Sequence, residues 1–108
     1  MRRGDIVIVA IPGSHGKPRP ALVVQSDLFS ELPSVTLLPI TSDLRQVSTF
    51  RLMLQPNTTN GLRKQSQIMV DKLMTVPVDK VADVIGRLDA RQMSEVSRMM
   101  AVFLGIFE

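Results

Sequence analysis

The stretch Lys17-Pro18-Arg19-Pro20-Ala21-Leu22-Val23-Val24-Gln25-Ser26-Asp27 joins a cationic, proline-rich approach directly to an apolar run. Each proline fixes its own φ and biases the preceding residue towards an extended conformation. The apolar run that follows is typical of a buried strand, and we predict this strand over residues 21–25. Arg19 is therefore expected in a short, conformationally restricted segment at the start of the strand.

Arg19 is the first candidate for a functional role. Its guanidinium group is always charged, and its planar fork of donors fits a phosphate group. The end of a strand is also a firmer base for a functional group than a loop. The alternative is a surface arginine that caps a turn, and local chemistry alone leaves both interpretations open.

Short apolar runs on both sides of this stretch predict the other strands. Together with residues 21–25, the predicted strands cover residues 6–11, 35–40, 50–54 and 84–88, and residues 68–70 form a further apolar run. Pro39 indicates an edge or a bulge in its strand, because proline cannot donate to a ladder. Residues 56–61 are dense in turn formers and predict a hairpin-type reversal, while residues 78–82 favour one helical turn.

The last element predicted is an amphipathic helix. Asp89 is a suitable N-cap, and Gln92 stands three residues later, as in a capping box. The apolar residues at helical spacing are Leu88, Met93, Val96, Met100, Phe103, Leu104 and Phe107. The methionines, including Met99, suit adaptable packing better than a cofactor site. Strands first and one helix last predict a small, mostly antiparallel β barrel or curled sheet with a packed helix.

Composition limits the class of protein. The 108 residues suit a single domain, 1–108, and the 44% of hydrophobic residues excludes a disordered chain. The mean hydropathy of +0.17 suggests extra apolar surface that a homo-oligomer would cover. No apolar run reaches membrane-spanning length, and the segment after Met1-Arg2-Arg3 is too short for a secretory signal, so we expect a cytoplasmic protein without membrane contact.

The chain has few residues for metal or cofactor chemistry. It contains no cysteine, which excludes disulfides, thiolate metal sites and cysteine nucleophiles, and its single histidine argues against a zinc site. Glycine-rich phosphate loops, paired-histidine metal motifs and nucleophile elbows are missing from the sequence. We therefore expect neither a cofactor nor a metal. The net charge of +3 permits a polyanionic partner.

Polar residues at strand ends are the remaining candidates for chemistry. Arg19 can stabilise a phosphoryl transition state, Thr41 and Ser42 can donate hydrogen bonds to it, and Asp71 can take or give a proton. The alternative for Asp71 is a surface carboxylate paired with Lys72.

Histidine and basic residues supply a second group of candidates. His15 is of interest because histidine titrates near neutral pH, although a lone histidine beside glycine is usually solvated. Arg2-Arg3, Arg63-Lys64 and Lys17 can join Arg19 in binding an RNA backbone, or they are ordinary solubility charges.

Taken together, these stretches resemble the MazF/PemK family of toxin endoribonucleases across nearly the whole chain. The matching segments, in order, are Arg3-Gly4-Asp5-Ile6-Val7, Arg19-Pro20-Ala21-Leu22-Val23-Val24, Pro39-Ile40-Thr41-Ser42, Gly61-Leu62, Ser66-Gln67-Ile68-Met69-Val70-Asp71-Lys72 and Ile85-Gly86-Arg87-Leu88. The resemblance implies a compact, SH3-like antiparallel β barrel with a C-terminal helix. It also implies a homodimer with an RNA groove along the subunit interface, inhibited by a MazE/PemI-like antitoxin whose tail occupies the groove.

The resemblance also implies roles for individual residues. Arg19 and Thr41 match the pair most closely tied to cleavage. Ser42 and Gln67 match positions near the substrate, where an amide can read a base edge in single-stranded RNA. Ser66, in the same segment as Gln67, and Lys17, beside the Arg-Pro motif, complete the expected RNA-binding set.

The acid and base are less closely matched. Asp71 matches the acidic position proposed as the base in the PemK (Kid) branch of the family. That branch has an arginine two residues earlier, where this chain has Met69. His15 lies in the loop where the same branch has a functional histidine, but this loop is shorter. We therefore rank Arg19 and Thr41 above Asp71 and His15 as catalytic candidates.

The implied function is a sequence-specific, metal-independent endoribonuclease that cleaves single-stranded RNA by 2′-hydroxyl attack. Its products are 2′,3′-cyclic phosphate and 5′-hydroxyl ends. One alternative is a CcdB-like toxin, which is thought to share the fold but binds and poisons DNA gyrase, because residues 103–106 faintly resemble its Gly-Ile ending. Another is a catalytically inactive barrel that only binds a partner.

Overall fold

The computed structural model describes residues 1–11, 13, 17–46 and 49–106. Seven strands precede one α-helix: β1 Asp5–Ala10, β2 Pro18–Val23, β3 Ser34–Thr41, β4 Arg51–Leu54, β5 Ser66–Met69, β6 Met74–Pro77, β7 Val81–Arg87 and α1 Ala90–Phe103. Single turns of 3₁₀-helix cover Asp27–Phe29, Val70–Lys72 and Val78–Lys80. The order of strands first and one helix last is as predicted.

All seven strands belong to one antiparallel sheet, in the order β4-β5-β3-β2-β1-β7 with β6 beside β3. The long strand β3 has two partners on one side, because its first half pairs with β6 and its last residues pair with β5. Within the described part of the chain, the end strands β4 and β7 do not pair. The sheet is therefore open. The predicted antiparallel strands with a C-terminal helix are confirmed, but the strands do not close into a ring.

Strand β2 begins earlier than predicted, so that Arg19 lies inside the strand and pairs with Val9 of β1. The pairing of β2 with β3 ends at Ala21 and Pro39. Residues 18–20 consequently have a ladder partner on one side only, which is where a strand tolerates prolines. Pro39 lies between the β6-paired and β5-paired parts of β3, where pairing on that side is interrupted.

The strand β6 was absent from the sequence prediction. It has only four residues, of which Val76 alone is buried, so it carries little periodic signal. The predicted helical turn at residues 78–82 is the shorter 3₁₀ turn Val78–Lys80, and β7 starts directly after it, earlier than predicted.

The helix α1 begins as predicted, with Asp89 Oδ1 accepting a hydrogen bond from the backbone N–H of Gln92 at 2.7 Å. Val96, in the middle of the helix, is fully buried. The methionines that face the sheet pack against the core; they are Met93, Met99 and Met100. Beyond them the predicted apolar face is half exposed at Phe103, and Phe107 lies outside the described residues.

The sheet has a buried cluster on each face. Ile6, Leu22 and Leu38 belong to the larger cluster under the helix, whereas their strand neighbours Val7 and Ala21 belong to the smaller one. Successive side chains of a strand point to opposite faces. The central strands are therefore apolar on both faces, which explains why their sequences form continuous rather than alternating apolar runs. None of the helices in the described residues has the length and apolar character needed to cross a membrane.

Candidate functional site

A cavity of about 870 Å³ lies at the end of the β2–β3 ladder. Residues from β1, β2 and β3 form one wall, and the segment 61–64 between β4 and β5 forms another. Residues around the Val70–Lys72 turn complete it. We refer to this cavity as the groove.

Arg19 and Thr41 are brought together in the groove by strand register. Ala21 pairs with Pro39, and Arg19 and Thr41 each lie two residues beyond that pair, in the direction that leaves the ladder. Side chains two residues apart share a face of a sheet, so the two functional groups point to the same side at the same end. Both residues line the groove, and Arg19 is exposed while Thr41 is half-buried.

The hydroxyl of Thr41 keeps its donor capacity. Its Oγ1 accepts a hydrogen bond from the backbone N–H of Asp43 at 3.0 Å. This bond uses a lone pair of the oxygen rather than its proton, so it does not compete with donation to a ligand. The exposed side chain of Ser42 also lines the groove and adds a second hydroxyl.

The groove wall is cationic. Arg63, Lys64 and Lys72 line it together with Arg19. Among the described lining residues the one acid is Asp43, and its Oδ2 is paired with the Arg45 guanidinium at 3.0 Å. Clustered cations in a cleft attract a polyanion and raise its local concentration.

The floor of the groove is apolar. Its lining includes Ile8, Ile11, Leu62, Met69, Met74 and Ile85. Ligand sites commonly combine an apolar lining with a few convergent polar groups. The groove therefore suits a ligand that has both anionic groups and flat apolar faces.

The wall made by residues 61–64 is held in place by close backbone contacts with β7. Gly61 has φ +70°, and a Cβ added there would lie 2.1 Å from the carbonyl oxygen of Ile85. A Cβ on Gly86 would lie 2.3 Å from the carbonyl of Asn60. Only glycine permits such approaches, which explains why the motifs Gly61-Leu62 and Ile85-Gly86 occur together.

The buried side chain of Asn60 fixes the same loop. Its Oδ1 accepts from the backbone N–H groups of Asn57 and Leu62 at 3.1 and 3.0 Å, and its Nδ2 donates to the carbonyl of Gln55 at 2.8 Å. The side-chain amide thus forms hydrogen bonds with backbone groups on both sides of the turn. From the sequence, this region is predicted only as a hairpin-type reversal, because the contacts of Asn60 have no local signature.

Asp71 is not in the groove wall, although its neighbours Met69 and Lys72 are. It lies in the 3₁₀ turn after β5, with its side chain 22% exposed and its Oδ2 3.6 Å from the Lys72 ammonium. Its Oδ1 is buried and has no hydrogen-bond partner among the described residues. The expected alternative, an ion pair with Lys72, is present.

The other candidates are distributed differently. Ser66 lines the groove, and its hydroxyl donates to the carbonyl of Lys64 at 2.8 Å. Gln67 is 3% exposed, and its amide is engaged with other protein groups rather than presented to the groove. Lys17 is exposed just before β2, and His15 lies outside the described residues.

Comparison with known proteins identifies the family. A family model described as the PemK-like, MazF-like toxin of type II toxin-antitoxin systems matches residues 2–104. The chain belongs to this family. The match favours the toxin endoribonucleases over the gyrase-binding CcdB alternative.

Individual MazF proteins are similar over their whole length. The chain is 40% identical over 107 residues to a probable endoribonuclease MazF from Mycolicibacterium smegmatis, with 98% of both chains covered. It is 25% identical over 117 residues to endoribonuclease MazF9 from Mycobacterium tuberculosis, covering 99% of this chain and 98% of that protein.

Solved structures agree on the fold. The Mycobacterium tuberculosis toxin MazF-mt6 superposes with a TM-score of 0.80 at 25% identity, covering 94% of this chain and 96% of that one. A mycobacterial endoribonuclease in complex with its cognate antitoxin gives a TM-score of 0.83 at 19% identity, covering 98% and 96%. The open sheet with one C-terminal helix is thus the MazF architecture.

Proposed function

We propose that this chain is the endoribonuclease toxin of a toxin-antitoxin module and cleaves single-stranded RNA in the cytoplasm. The observation that carries the proposal is the meeting of Arg19 and Thr41 at one end of the β2–β3 ladder, inside a cationic groove. Membership of the MazF-like family and the names of the relatives, which are endoribonucleases, support it.

The proposed reaction uses a nucleophile that RNA itself provides. The 2′-oxygen attacks the adjacent phosphorus in line, the bond from phosphorus to the 5′-oxygen breaks, and the products are a 2′,3′-cyclic phosphate and a 5′-hydroxyl end. Negative charge grows on the phosphoryl oxygens in the transition state, and preorganised donors stabilise it. Arg19 supplies a cation with a planar fork of donors. The hydroxyl of Thr41 donates a hydrogen bond to a phosphoryl oxygen.

Two protons must move in this reaction, one from the 2′-hydroxyl and one to the leaving 5′-oxygen. We propose Asp71 and His15 for these transfers, with neither assigned to one step. Asp71 is not itself a lining residue of the groove, but Met69 and Lys72 on either side of it in the chain are, and its Oδ1 has no hydrogen-bond partner among the described residues.

The remaining groove residues are proposed to hold the RNA. Arg63, Lys64 and Lys72 would neutralise backbone phosphates, and Lys17 would extend this surface. The exposed hydroxyl of Ser42 would donate to sugar or base edges, whereas the buried Ser66, whose hydroxyl donates to the Lys64 carbonyl, would only accept a hydrogen bond. The apolar floor would contact base faces, because the splayed-out bases of single-stranded RNA expose flat apolar surfaces, and the Arg19 or Arg63 guanidinium plane would offer a stacking surface.

We further propose that the protein acts as a homodimer. Large apolar side chains are exposed at the end of α1 and in the segment after it; they are Val102, Phe103, Leu104 and Ile106. Covering apolar surface of this kind stabilises an oligomer. Light scattering over a dilution series should show a dimer at micromolar protein, and a monomer throughout would contradict the proposal.

A MazE/PemI-like antitoxin is the proposed protein partner. A relative of the same fold has been solved with its cognate antitoxin, and the cationic groove would accept an acidic tail from such a protein. Occupation of the groove by that tail would exclude RNA.

Digestion of a mixed-sequence RNA tests the function. We expect cleavage at a restricted set of sequences, with 5′-hydroxyl ends that a kinase labels without prior dephosphorylation. Cleavage should persist in excess chelator, because the nucleophile is the RNA hydroxyl and the proposed charge stabilisation comes from side chains. Intact RNA together with gyrase trapped on DNA would overturn the assignment.

A further inference from the structure

Gln67 uses both polar atoms of its amide to hold the segment that follows Thr41. Its Oε1 accepts from the backbone N–H of Arg45 at 3.0 Å and from the guanidinium of Arg51 at 2.8 Å. Its Nε2 donates to the carbonyl of Arg45 at 2.8 Å. Both polar atoms of the amide are therefore hydrogen-bonded to other protein groups, and Gln67 is 3% exposed.

Arg51 adds a second attachment to the same segment. Its Nη1 also donates to the carbonyl of Asp43 at 3.1 Å. The backbone N–H of Asp43 in turn donates to Thr41 Oγ1, and its carboxylate pairs with Arg45. Hydrogen bonds of this network thus run from Arg51 and Gln67 to the Thr41 hydroxyl. We call the contacts of Gln67 and Arg51 with Asp43 and Arg45 the loop anchor.

The loop anchor is built on the sheet itself. Gln67 of β5 is the ladder partner of Thr41 on β3 and of Met53 on β4. Arg51 is paired with Met69 in the same β4–β5 ladder. Groups on strands hold a geometry more firmly than groups on loops. The segment after Thr41 therefore folds back onto Gln67, which is the ladder partner of Thr41.

We propose that Gln67 and Arg51 are positioning residues for RNA cleavage, because the loop anchor fixes residues 42–45 and with them the direction of the Thr41 hydroxyl. The inference rests on the proposed ribonuclease function. It gives Gln67 a role different from reading a base edge. It also accounts for the half-buried Arg51, which forms no ion pair within the described part of the chain: its Nη1 donates to two neutral oxygens, and these bonds fix the position of the segment rather than the charge of the groove.

Gln25 provides a matched control. Its Oε1 accepts from the backbone N–H of Thr36 at 3.1 Å, and its Nε2 donates to the carbonyl of Phe29 at 3.0 Å. This amide also ties a loop to β3, but it does not line the groove. Loss of Gln25 therefore removes a similar set of hydrogen bonds without touching the segment after Thr41.

The test compares kcat and KM of Gln67→Leu, Arg51→Lys and Gln25→Leu on one RNA oligonucleotide, well below the melting temperature of each variant. We expect Gln67→Leu to lower kcat by about 100-fold, since a displacement of about 1 Å at a catalytic group can cost that much. KM should stay within about threefold, because the groove cations are unchanged. Arg51→Lys, which can keep one of the two bonds, should lose about tenfold in kcat, and Gln25→Leu should keep kcat within about twofold.

A second measurement separates positioning from simple loss of stability. Hydrogen exchange at the amides of Asp43 and Arg45 should accelerate in Gln67→Leu and Arg51→Lys but not in Gln25→Leu. If Gln67→Leu does not fold, Arg51→Lys carries the comparison. Wild-type kcat in Arg51→Lys or in a folded Gln67→Leu, or an equal loss in Gln25→Leu, would overturn the positioning role alone. A wild-type protein that leaves RNA intact would overturn the ribonuclease function and this inference together.

Discussion

The two walls of the groove are built in different ways. The strand wall presents Arg19 and Thr41 as side chains at the end of a ladder, where they are exposed and half-buried. The loop wall, residues 61–64, is held by backbone contacts between Gly61, Gly86 and their neighbours, with almost no free space. From this difference we expect the proposed chemistry to depend on the strand wall and the stability of the fold to depend more on the loop wall. Substitutions in the two walls should consequently affect different measurements.

The largest effect is expected at Arg19. Arg19→Ala should lower the cleavage rate by about 100- to 1,000-fold, the usual range when a donor to transition-state charge is removed. Its melting temperature should stay near that of the wild type, because an exposed side chain contributes little to the core. RNA cleavage and circular dichroism measure the two effects.

Arg19→Lys is the control for charge at the same position. It should recover only part of the activity, since an ammonium group cannot reproduce the two-point fork of the guanidinium. An Arg19→Ala protein as active as the wild type would refute the catalytic role of Arg19. An unfolded Arg19→Ala protein would show that this side chain is needed for stability as well.

The next largest effect is expected in the loop wall. Gly61→Ala should lower the free energy of unfolding by about 3 kcal/mol, because its Cβ would collide with the Ile85 carbonyl and force the backbone to move. Gly13→Ala is the matched control, with φ +86° and no atom of the described residues within 4 Å of the added Cβ. It should cost only the strain of a positive φ, about 1 kcal/mol. Equal losses in urea unfolding would refute the role of close packing.

The smallest effect is expected from a single cation of the loop wall. Arg63→Ala should weaken RNA binding and reduce the slope of log affinity against log salt by about one unit, as for the loss of one phosphate contact. Its kcat should be almost unchanged. Lys80→Ala, an exposed lysine outside the groove, should leave the slope as it is. Titrations at several salt concentrations compare the two variants.

The sequence predicted the strand wall better than the loop wall. Arg19 and Thr41 lie in short motifs beside strongly apolar runs that predict strands. Because these two strands pair, the two residues lie close together in the fold. The contact between Gly61 and Ile85 joins residues that are far apart in the chain. In the sequence it is marked only by a glycine, and a glycine can be required at a position for several different reasons. The resemblance to the family placed both motifs in order but could not show that they touch.

Buried polar residues were the hardest to interpret from sequence. Gln67 stands between Ser66 and the apolar Ile68 on a strand, and this pattern is the same whether its amide faces a ligand or a loop of the protein. Only the positions of Arg45 and Arg51 show that the amide is already occupied. The strand β6 was missed for a related reason, since its pairing with β3 rather than its own composition defines it.

The central claim is that the Arg19–Thr41 end of the β2–β3 ladder cleaves RNA through the 2′-hydroxyl of the substrate. The most direct measurement uses two oligonucleotides of one cleavable sequence, one all ribose and one with a single deoxyribose at the nucleotide before the cleaved bond. In the presence of excess chelator, the wild-type protein should cut the first to a 2′,3′-cyclic phosphate and leave the second intact, because the attacking oxygen is gone. Cleavage of the deoxy-substituted oligonucleotide at the same bond would contradict the account.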